Sequence, residues 1–344
     1  MKGNKKMIRA AVIGLGGMGK GHFSVYKRLM AEGYPVELVA VCDIDETKFG
    51  EKTTDTNLDE FKKNNDFNFY DFHTYTSVDE MLEKEELDIV SVATPTYEHY
   101  SVTCKCLKAG VNVLCEKPMA NNLEHCRIMI ETAKNTGKKL MIGQCLRFED
   151  DYRYIKECID KGTFGKVFGA FFYRGGGPVI RMWFRNHTIG GGATFDQHIH
   201  DVDMVQHLFG MPKAVQSVGA SAMEGSGYDW ISTNYIYDDN KMVNTQNRWI
   251  DYGTGFESGF RLTFEKASIV KDENGFRVFN KDGDITPELK MDSPYYNEIK
   301  ALCEAVINDT PVPVENTPES VMETIRLTLA EIESCDNQGA VVEL

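Results

Sequence analysis

The stretch Ala11-Val12-Ile13-Gly14-Leu15-Gly16-Gly17-Met18-Gly19 decides the fold. An apolar run from Ile8 ends in a G-x-G-x-x-G turn, and a second run, Val36-Glu-Leu-Val-Ala-Val-Cys-Asp43, closes on a carboxylate 24 residues after Gly19. Gly14 permits a tight turn out of the first strand. Gly16 lets backbone approach a pyrophosphate unobstructed, and Gly19 lets the next helix pack close to the sheet. Leu15, Gly17 and Met18 complete the turn at the start of that helix, whose free N–H groups and positive dipole end suit phosphate oxygens. Asp43 lies slightly beyond the usual spacing, but a carboxylate at the end of that run can accept from both ribose hydroxyls and repels a 2′-phosphate, so the expected cofactor is NAD rather than NADP.

With 344 residues, 42% of them hydrophobic, the chain can bury a substantial core and is long enough for two domains. A net charge of −14 opposes binding to nucleic acid or to an anionic membrane surface. Nine cysteines at irregular spacing, with no C-x-x-C pair, read as reduced thiols of a cytoplasmic protein and leave neither a disulfide framework nor a structural zinc site. The apolar stretch after the N-terminal lysines is short and runs straight into the glycine turn, so it reads as a strand and not a signal peptide. No run is long enough to span a bilayer.

From Met7 to about Ile142, strand and helix patterns alternate. Runs Ile8 to Ile13, Val36 to Val41, Ile89 to Ala93, Val111 to Cys115 and Lys139 to Ile142 are separated by helical stretches such as Tyr97 to Ala109 and Leu123 to Thr136, which implies a doubly wound parallel sheet. Thr53 to Thr76 interrupts the pattern and reads as a short helix and a loop. After a helix at Asp151 to Lys161, five alternating runs, Val167 to Arg174, Ala214 to Ala222, Ile231 to Tyr237, Val243 to Ile250 and Gly259 to Phe264, suggest an open, largely antiparallel sheet. Turns at Asp272 to Gly275 and Lys281 to Gly283 fit hairpins at its edge. Two amphipathic helices, Tyr295 to Asn308 and Pro318 to Asp336, close the chain. The expected fold is therefore α/β, with a Rossmann domain over 1–142 and an α+β domain over 143–344.

Three further segments carry side chains able to react. Ala93-Thr94-Pro95-Thr96-Tyr97-Glu98-His99 follows an apolar strand, where a loop faces the cofactor crevice; this makes Thr94, Pro95 and His99 candidate nucleotide contacts, although a Thr-Pro turn also starts a helix unaided. Cys115-Glu116-Lys117-Pro118 ends another strand, where a lysine would sit over the nicotinamide end of that crevice; Glu116 and Lys117 are therefore candidate cofactor contacts, although an isolated Glu-Lys-Pro also reads as an ordinary solvated surface lysine. In Gly190-Gly-Gly-Ala-Thr-Phe-Asp196-Gln-His198-Ile-His200-Asp-Val-Asp203, a helix from Thr194 to Phe209 would line up Asp196, His200, Asp203 and His207 on one face, so Asp196 and His200 can address one substrate. Structural histidines, capping carboxylates or a metal site are the competing readings. On a helix His198 and His200 point apart, which disfavours metal; on a strand they would share a face.

In this order the segments resemble the Gfo/Idh/MocA family of NAD(P)-dependent oxidoreductases, which includes inositol dehydrogenases and glucose-fructose oxidoreductases. The resemblance spans nearly the whole chain, from Gly14–Gly19 through Val41-Cys-Asp43, Ala93-Thr-Pro95, Glu116-Lys-Pro118 and Gly190–Asp203 to the closing Glu-Ser-Cys-Asp-Asn-Gln-Gly around Ser334. It implies a catalytic trio of Lys117, Asp196 and His200 and sets Trp183 and Arg147 near the nicotinamide or substrate, with core packing and a surface ion pair as their competing readings; His198, beside the catalytic helix, is a further substrate-site candidate or a structural histidine. It also implies an open sheet that joins subunits into a homodimer or homotetramer. His198 stands where the family often has a small residue or threonine, and Arg174-Gly-Gly-Gly-Pro178 matches no pattern; both bear on substrate choice.

These residues are compatible with three functions. The first is hydride transfer between NAD and a secondary alcohol of a sugar, cyclitol or related polyol. The second is a redox-neutral conversion or cleavage of a glycoside with NAD retained, and the third a non-catalytic NAD-binding sensor, for which the intact trio has no use. Arg174, Arg181 and Arg185 are candidates for a substrate carboxylate or phosphate, or are ordinary surface residues.

Overall fold

The computed structural model describes residues 6–50, 67–177, 182–253, 255–285 and 287–344. By contact they form two units, Met1–Cys145 with Ser293–Glu319, and Leu146–Asp292 with Ser320–Leu344.

The first unit carries a six-stranded sheet, parallel throughout: β1 (Ile8–Ile13), β2 (Val36–Cys42), β3 (His73–Tyr75), β4 (Ile89–Val92), β5 (Asn112–Glu116) and β6 (Leu140–Gly143). Its order is β3-β2-β1-β4-β5-β6, so the chain reverses direction across the sheet between β1 and β4. Helices α1 (Gly17–Ala31), α2 (Val78–Lys84), α3 (Thr96–Lys108) and α4 (Leu123–Thr136) connect the strands. Ala10, Ala11, Val12, Val90, Val113 and Leu114 are wholly enclosed, as both-face coverage of a parallel sheet requires. Each such buried valine or leucine contributes about 1.5–3 kcal/mol. Strand β3 lies inside the stretch read as helix and loop; three residues are too few to show an alternating pattern, and pairing with β2 makes them a strand. Residues 53–66 of that stretch lie outside the described residues.

In the second unit, α5 (Asp150–Asp160) leads into β7 (Val167–Gly175) and the short α6 (Met182–Arg185). A π-helical turn, Thr194–His198, then runs directly into α7 (Ile199–Phe209). Strands β8 (Ala214–Ala220), β9 (Trp230–Ile236), β10 (Met242–Arg248), β11 (Glu257–Phe264), β12 (Ala267–Asp272), β13 (Gly275–Asn280) and β14 (Gly283–Ile285) follow. After α8 (Pro294–Ile307) come α9 (Pro318–Asp336) and β15 (Val342–Glu343), which completes a nine-stranded sheet ordered β14-β13-β12-β11-β7-β10-β9-β8-β15. It is largely antiparallel, with β7 and β10 parallel. Its inner face packs Phe172, Phe260, Leu262 and Ile269 with Val202 and Val205 of α7 and Leu327 of α9. Along β9 and β10 the opposite residues, Trp230, Ile236 and Met242 among them, are exposed, the alternation of a sheet covered on one side.

The expected single boundary after residue 142 differs from these units. Helix α8 has an apolar stripe of Tyr296, Ile299, Leu302 and Cys303, and it lies against α1, β1, β5 and β6, so the chain returns to the first unit. Periodicity shows which face of a helix is buried, but not which sheet buries it.

Candidate active site

In the first unit four loops gather at the carboxyl edge of the sheet, beside the β1/β4 reversal where ligands of open α/β sheets bind. Gly14 has φ +88°, and a Cβ there would stand 2.6 Å from the carbonyl oxygen of Ala93. At Gly19 a Cβ would fall 1.7 Å from the carbonyl oxygen of Gly14, so turn and helix meet only as glycines. Gly16 is different, since a Cβ would meet nothing within 4 Å. No packing demands a glycine there; its bareness keeps a space open over the start of α1, where no side chain caps the helix and no acidic residue occupies the first turn. That cradle, with half-buried Gly17 and Met18, fits a pyrophosphate.

Asp43 follows β2. Its Oδ2 accepts from the backbone N–H of Leu15 at 2.7 Å and its Oδ1 from that of Asp45 at 2.9 Å, which ties the carboxylate to the glycine turn. Each oxygen retains acceptor capacity for a ribose hydroxyl. Beyond β4, the Oγ1 of Thr94 is buried with no hydrogen-bond partner, the kind of orphaned group a ligand satisfies. Pro95 caps α3. His99 sits inside the protein, with Nδ1 2.7 Å from the carbonyl oxygen of Pro118 and Nε2 2.9 Å from that of Thr94. Neutral imidazole donates to one of these at a time, and burial holds His99 below its ordinary pKa, with the two carbonyls acting in the opposite direction. This ring joins the β4 and β5 loops.

Lys117 is half-buried at the end of β5, joined to Pro118 by a cis peptide bond. Its backbone N–H donates to Oε2 of Glu116 at 3.2 Å, while Oε1 of Glu116 lies 2.8 Å from Nε2 of His22 in α1. Glu116 is thus enclosed and occupied by protein partners. His22 was not singled out by sequence, although its position three residues beyond Gly19 is a readable signal.

In the second unit the reactive segment is the π turn and the start of α7. Asp196 and His200 are half-buried, whereas Phe195, Ile199, Val202 and Leu208 are buried, as the helical spacing predicts. A π turn closes i to i+5, so it adds a residue and rotates the helix beyond it. Asp203, expected on the face of Asp196 and His200, accordingly turns inward.

Arg147, expected at the substrate, is enclosed with it. Its Nε and Nη2 donate to the two oxygens of Asp203 at 2.8 and 2.6 Å, and Thr324 donates to the same carboxylate at 2.7 Å. His198, also expected at the substrate, is 0% exposed, with Nε2 2.8 Å from Glu331, which also accepts from the hydroxyl of Tyr235. Each is buried against a carboxylate from a distant element. Gln197 was missed: it donates to Asn247 at 2.7 Å and accepts from the indole N–H of Trp249 at 3.0 Å. Gln197 and His198 hold the turn through these bonds.

Trp183 is half-buried and stacks on Phe184, with ring centroids 3.7 Å apart. Arg174 is buried and paired with Asp201 at 3.1 Å, so it does not serve as a surface anion receptor. Nε of Arg185 is buried without a partner, and Arg181 lies outside the described residues.

Residues 8–144 match the model of an oxidoreductase family with an NAD-binding Rossmann fold, and 152–270 match the GFO/IDH/MocA C-terminal domain. The chain is 30% identical over 240 residues to the 2,7-anhydro-N-acetylneuraminate hydratase of Mediterraneibacter gnavus, a match covering 67% of this chain and 59% of that protein. It is 26% identical to the D-glucoside 3-dehydrogenase of Escherichia coli, with 98% and 97% of the two chains covered. The crystal structure of the WlbA dehydrogenase from Bordetella pertussis, in complex with NADH and UDP-GlcNAcA, superposes with a TM-score of 0.81 over 98% of this chain and 99% of that one, at 19% identity. The chain belongs to the Gfo/Idh/MocA family of NAD-binding oxidoreductases.

Proposed function

We propose that the protein transfers a hydride between NAD and a secondary alcohol of a sugar, cyclitol or related polyol, and that Lys117, Asp196 and His200 serve the same hydroxyl. Gly14–Gly19, Asp43, Thr94 and Pro95 would hold NAD, which when bound supplies the hydride acceptor. His200 takes the hydroxyl proton, since imidazole exchanges protons near neutral pH. Lys117 stabilises the developing alkoxide by its charge. Asp196 orients its neighbours, and in the direction of reduction the same groups return the proton. Exchanging the roles of Lys117 and His200 gives the same balance. The observation that carries the reading is the joint one of open space at Gly16, where a Cβ would meet nothing within 4 Å, and a half-buried Lys117 on the same sheet edge.

The hydratase among the relatives favours a second reading, in which NAD is retained and a glycosidic or anhydro linkage is changed with no net oxidation. The test is to incubate the protein and its Lys117→Ala variant with NAD and a panel of cyclitols, aldopyranoses, glycosides and anhydrosugars, following NADH absorbance and sugar products. Lysine-dependent NADH supports the dehydrogenase; lysine-dependent product without NADH supports the redox-neutral reading; NAD binding with neither favours a sensor.

The bare face of the nine-stranded sheet, with Trp230, Ile236 and Met242 exposed, supports self-association through that face.

A further inference from the structure

The first unit contains a buried polar group that the proposed reaction does not use. Glu298 projects from α8 and is 0% exposed, and neither carboxylate oxygen has a hydrogen-bond partner. A ring nitrogen of His22 and one carboxylate oxygen from each of Glu116 and Glu298 all lie within 4.8 Å of one another. Glu116 has what a buried anion needs, the His22 ring and the backbone N–H of Lys117. Glu298 has neither. An unpaired carboxylate in such a place costs several kcal/mol, and a second charge beside Glu116 adds repulsion.

The surroundings act in the same direction. Burial, then the charge of Glu116, pushes the Glu298 carboxyl well above the usual carboxylate range. Burial opposes charge on Glu116 too, but the hydrogen bond and charge of His22, followed by Lys117 and His99, outweigh it and bring Glu116 below that range. The groups facing this cluster are His22 from α1, His99 from α3, Glu116 and Lys117 at the end of β5, Cys145 after β6, and Tyr295 of α8. Tyr295 stays neutral, since desolvation, ahead of Cys145 and Glu116, holds its phenol far above the ordinary range.

We propose that Glu298 is kept as a neutral carboxylic acid over the working range of the protein, and that its ionisation in alkali, by charging the base of the Lys117 loop a second time, sets the upper pH limit of turnover. Glu298 is thereby a positioning residue acting through Glu116. Only the effect on turnover rests on the reading of Lys117 as catalytic.

An acid whose folded pKa is raised contributes stability that is complete below the ordinary carboxylate pKa and is lost as pH rises toward the folded value. Glu298→Gln removes that loss. The melting temperature of the variant relative to wild type should therefore climb steadily as pH rises from about 5 to about 9; a residue that only fills space gives a constant offset, and that result overturns the proposal. Infrared spectra of wild type in heavy water provide a second reading that needs no variant: a protonated-carboxyl band at neutral pH, lost in alkali, is expected, and its absence overturns the proposal. So does one equivalent of a divalent cation in the purified wild type whose chelation lowers the melting temperature, for then an ion neutralises the pair. Once a substrate is in hand, the alkaline limb of the kcat profile should move to higher pH in Glu298→Gln. A fixed limb alongside pH-dependent melting overturns the link to Lys117 alone, and failure of all turnover leaves the melting and infrared results intact.

Discussion

The turn at Gly14–Gly19 and the helical segment at Thr194–Phe209 are built for their proposed chemistry by opposite means. In the turn, the constraint is written in backbone: Gly14 and Gly19 are required by carbonyl oxygens of Ala93 and Gly14, while at Gly16 a Cβ would meet nothing within 4 Å. In the helical segment, function depends on which polar side chains are taken up by the core. Arg147, Arg174 and Glu331, from distant elements, claim Asp203, Asp201 and His198. Asp196 and His200 are half-buried. Spacing names candidate residues in both segments, and the fold shows which polar side chains of the second are taken up by the core.

The strongest way to break this contrast is at Lys117. Replacement by alanine should lower kcat/KM by about 10²–10⁴-fold, the usual share of a group acting on a proton or its charge, with an unchanged melting temperature. A comparable loss of stability would make Lys117 structural like its counterparts in the second unit. Arg147→Ala should do the reverse, costing about 3–5 kcal/mol in denaturant unfolding because Asp203 is left as a buried unpaired charge. A raised KM at intact stability would return Arg147 to the substrate.

The same polar core predicts a pH dependence. Burial, then the nearby Arg147 charge, holds His207 down at about 4. Its folded pKa is lowered, so the unfolded chain binds the proton first, and stability falls as pH drops from about 6.5 to about 4. The loss from this group approaches roughly 3 kcal/mol, and His207→Gln should flatten that part of the stability profile. The smallest effect is expected at the cofactor turn. Asp43→Ala should weaken NAD binding by about 1.5–3 kcal/mol and narrow its preference over NADP, as measured by calorimetry with both dinucleotides. An unchanged ratio would show that the carboxylate serves only the Leu15 N–H.

Much of the fold is legible in the sequence alone. Leu123–Thr136 and Pro318–Asp336 begin and end where their apolar spacing stops, and β1 ends at the first glycine of the turn. The glycine turn, Asp43 and the Lys117 loop are readable because each is a short run of residue types at fixed spacing along the chain, even though Gly14 closes on Ala93 and Asp43 on Leu15. Strand β3, the return of α8 to the first unit, and the burial of Arg147 and His198 are not. Each depends on a partner far along the chain: β2 for β3, α1 for α8, Asp203 for Arg147 and Glu331 for His198, which lies 133 residues away. The inserted residue of the π turn, which rotates Asp203 into the core, also leaves no periodic trace.

The proposed chemistry depends on a lysine from one unit and a histidine from the other acting on one hydroxyl. A double-mutant cycle of Lys117→Ala and His200→Ala, read as kcat/KM on the substrate found by the panel, tests it directly. Groups acting together on one proton are strongly non-additive, so the double variant should be about as slow as the slower single one. Losses that multiply, or a His200→Ala variant as active as wild type, would contradict it.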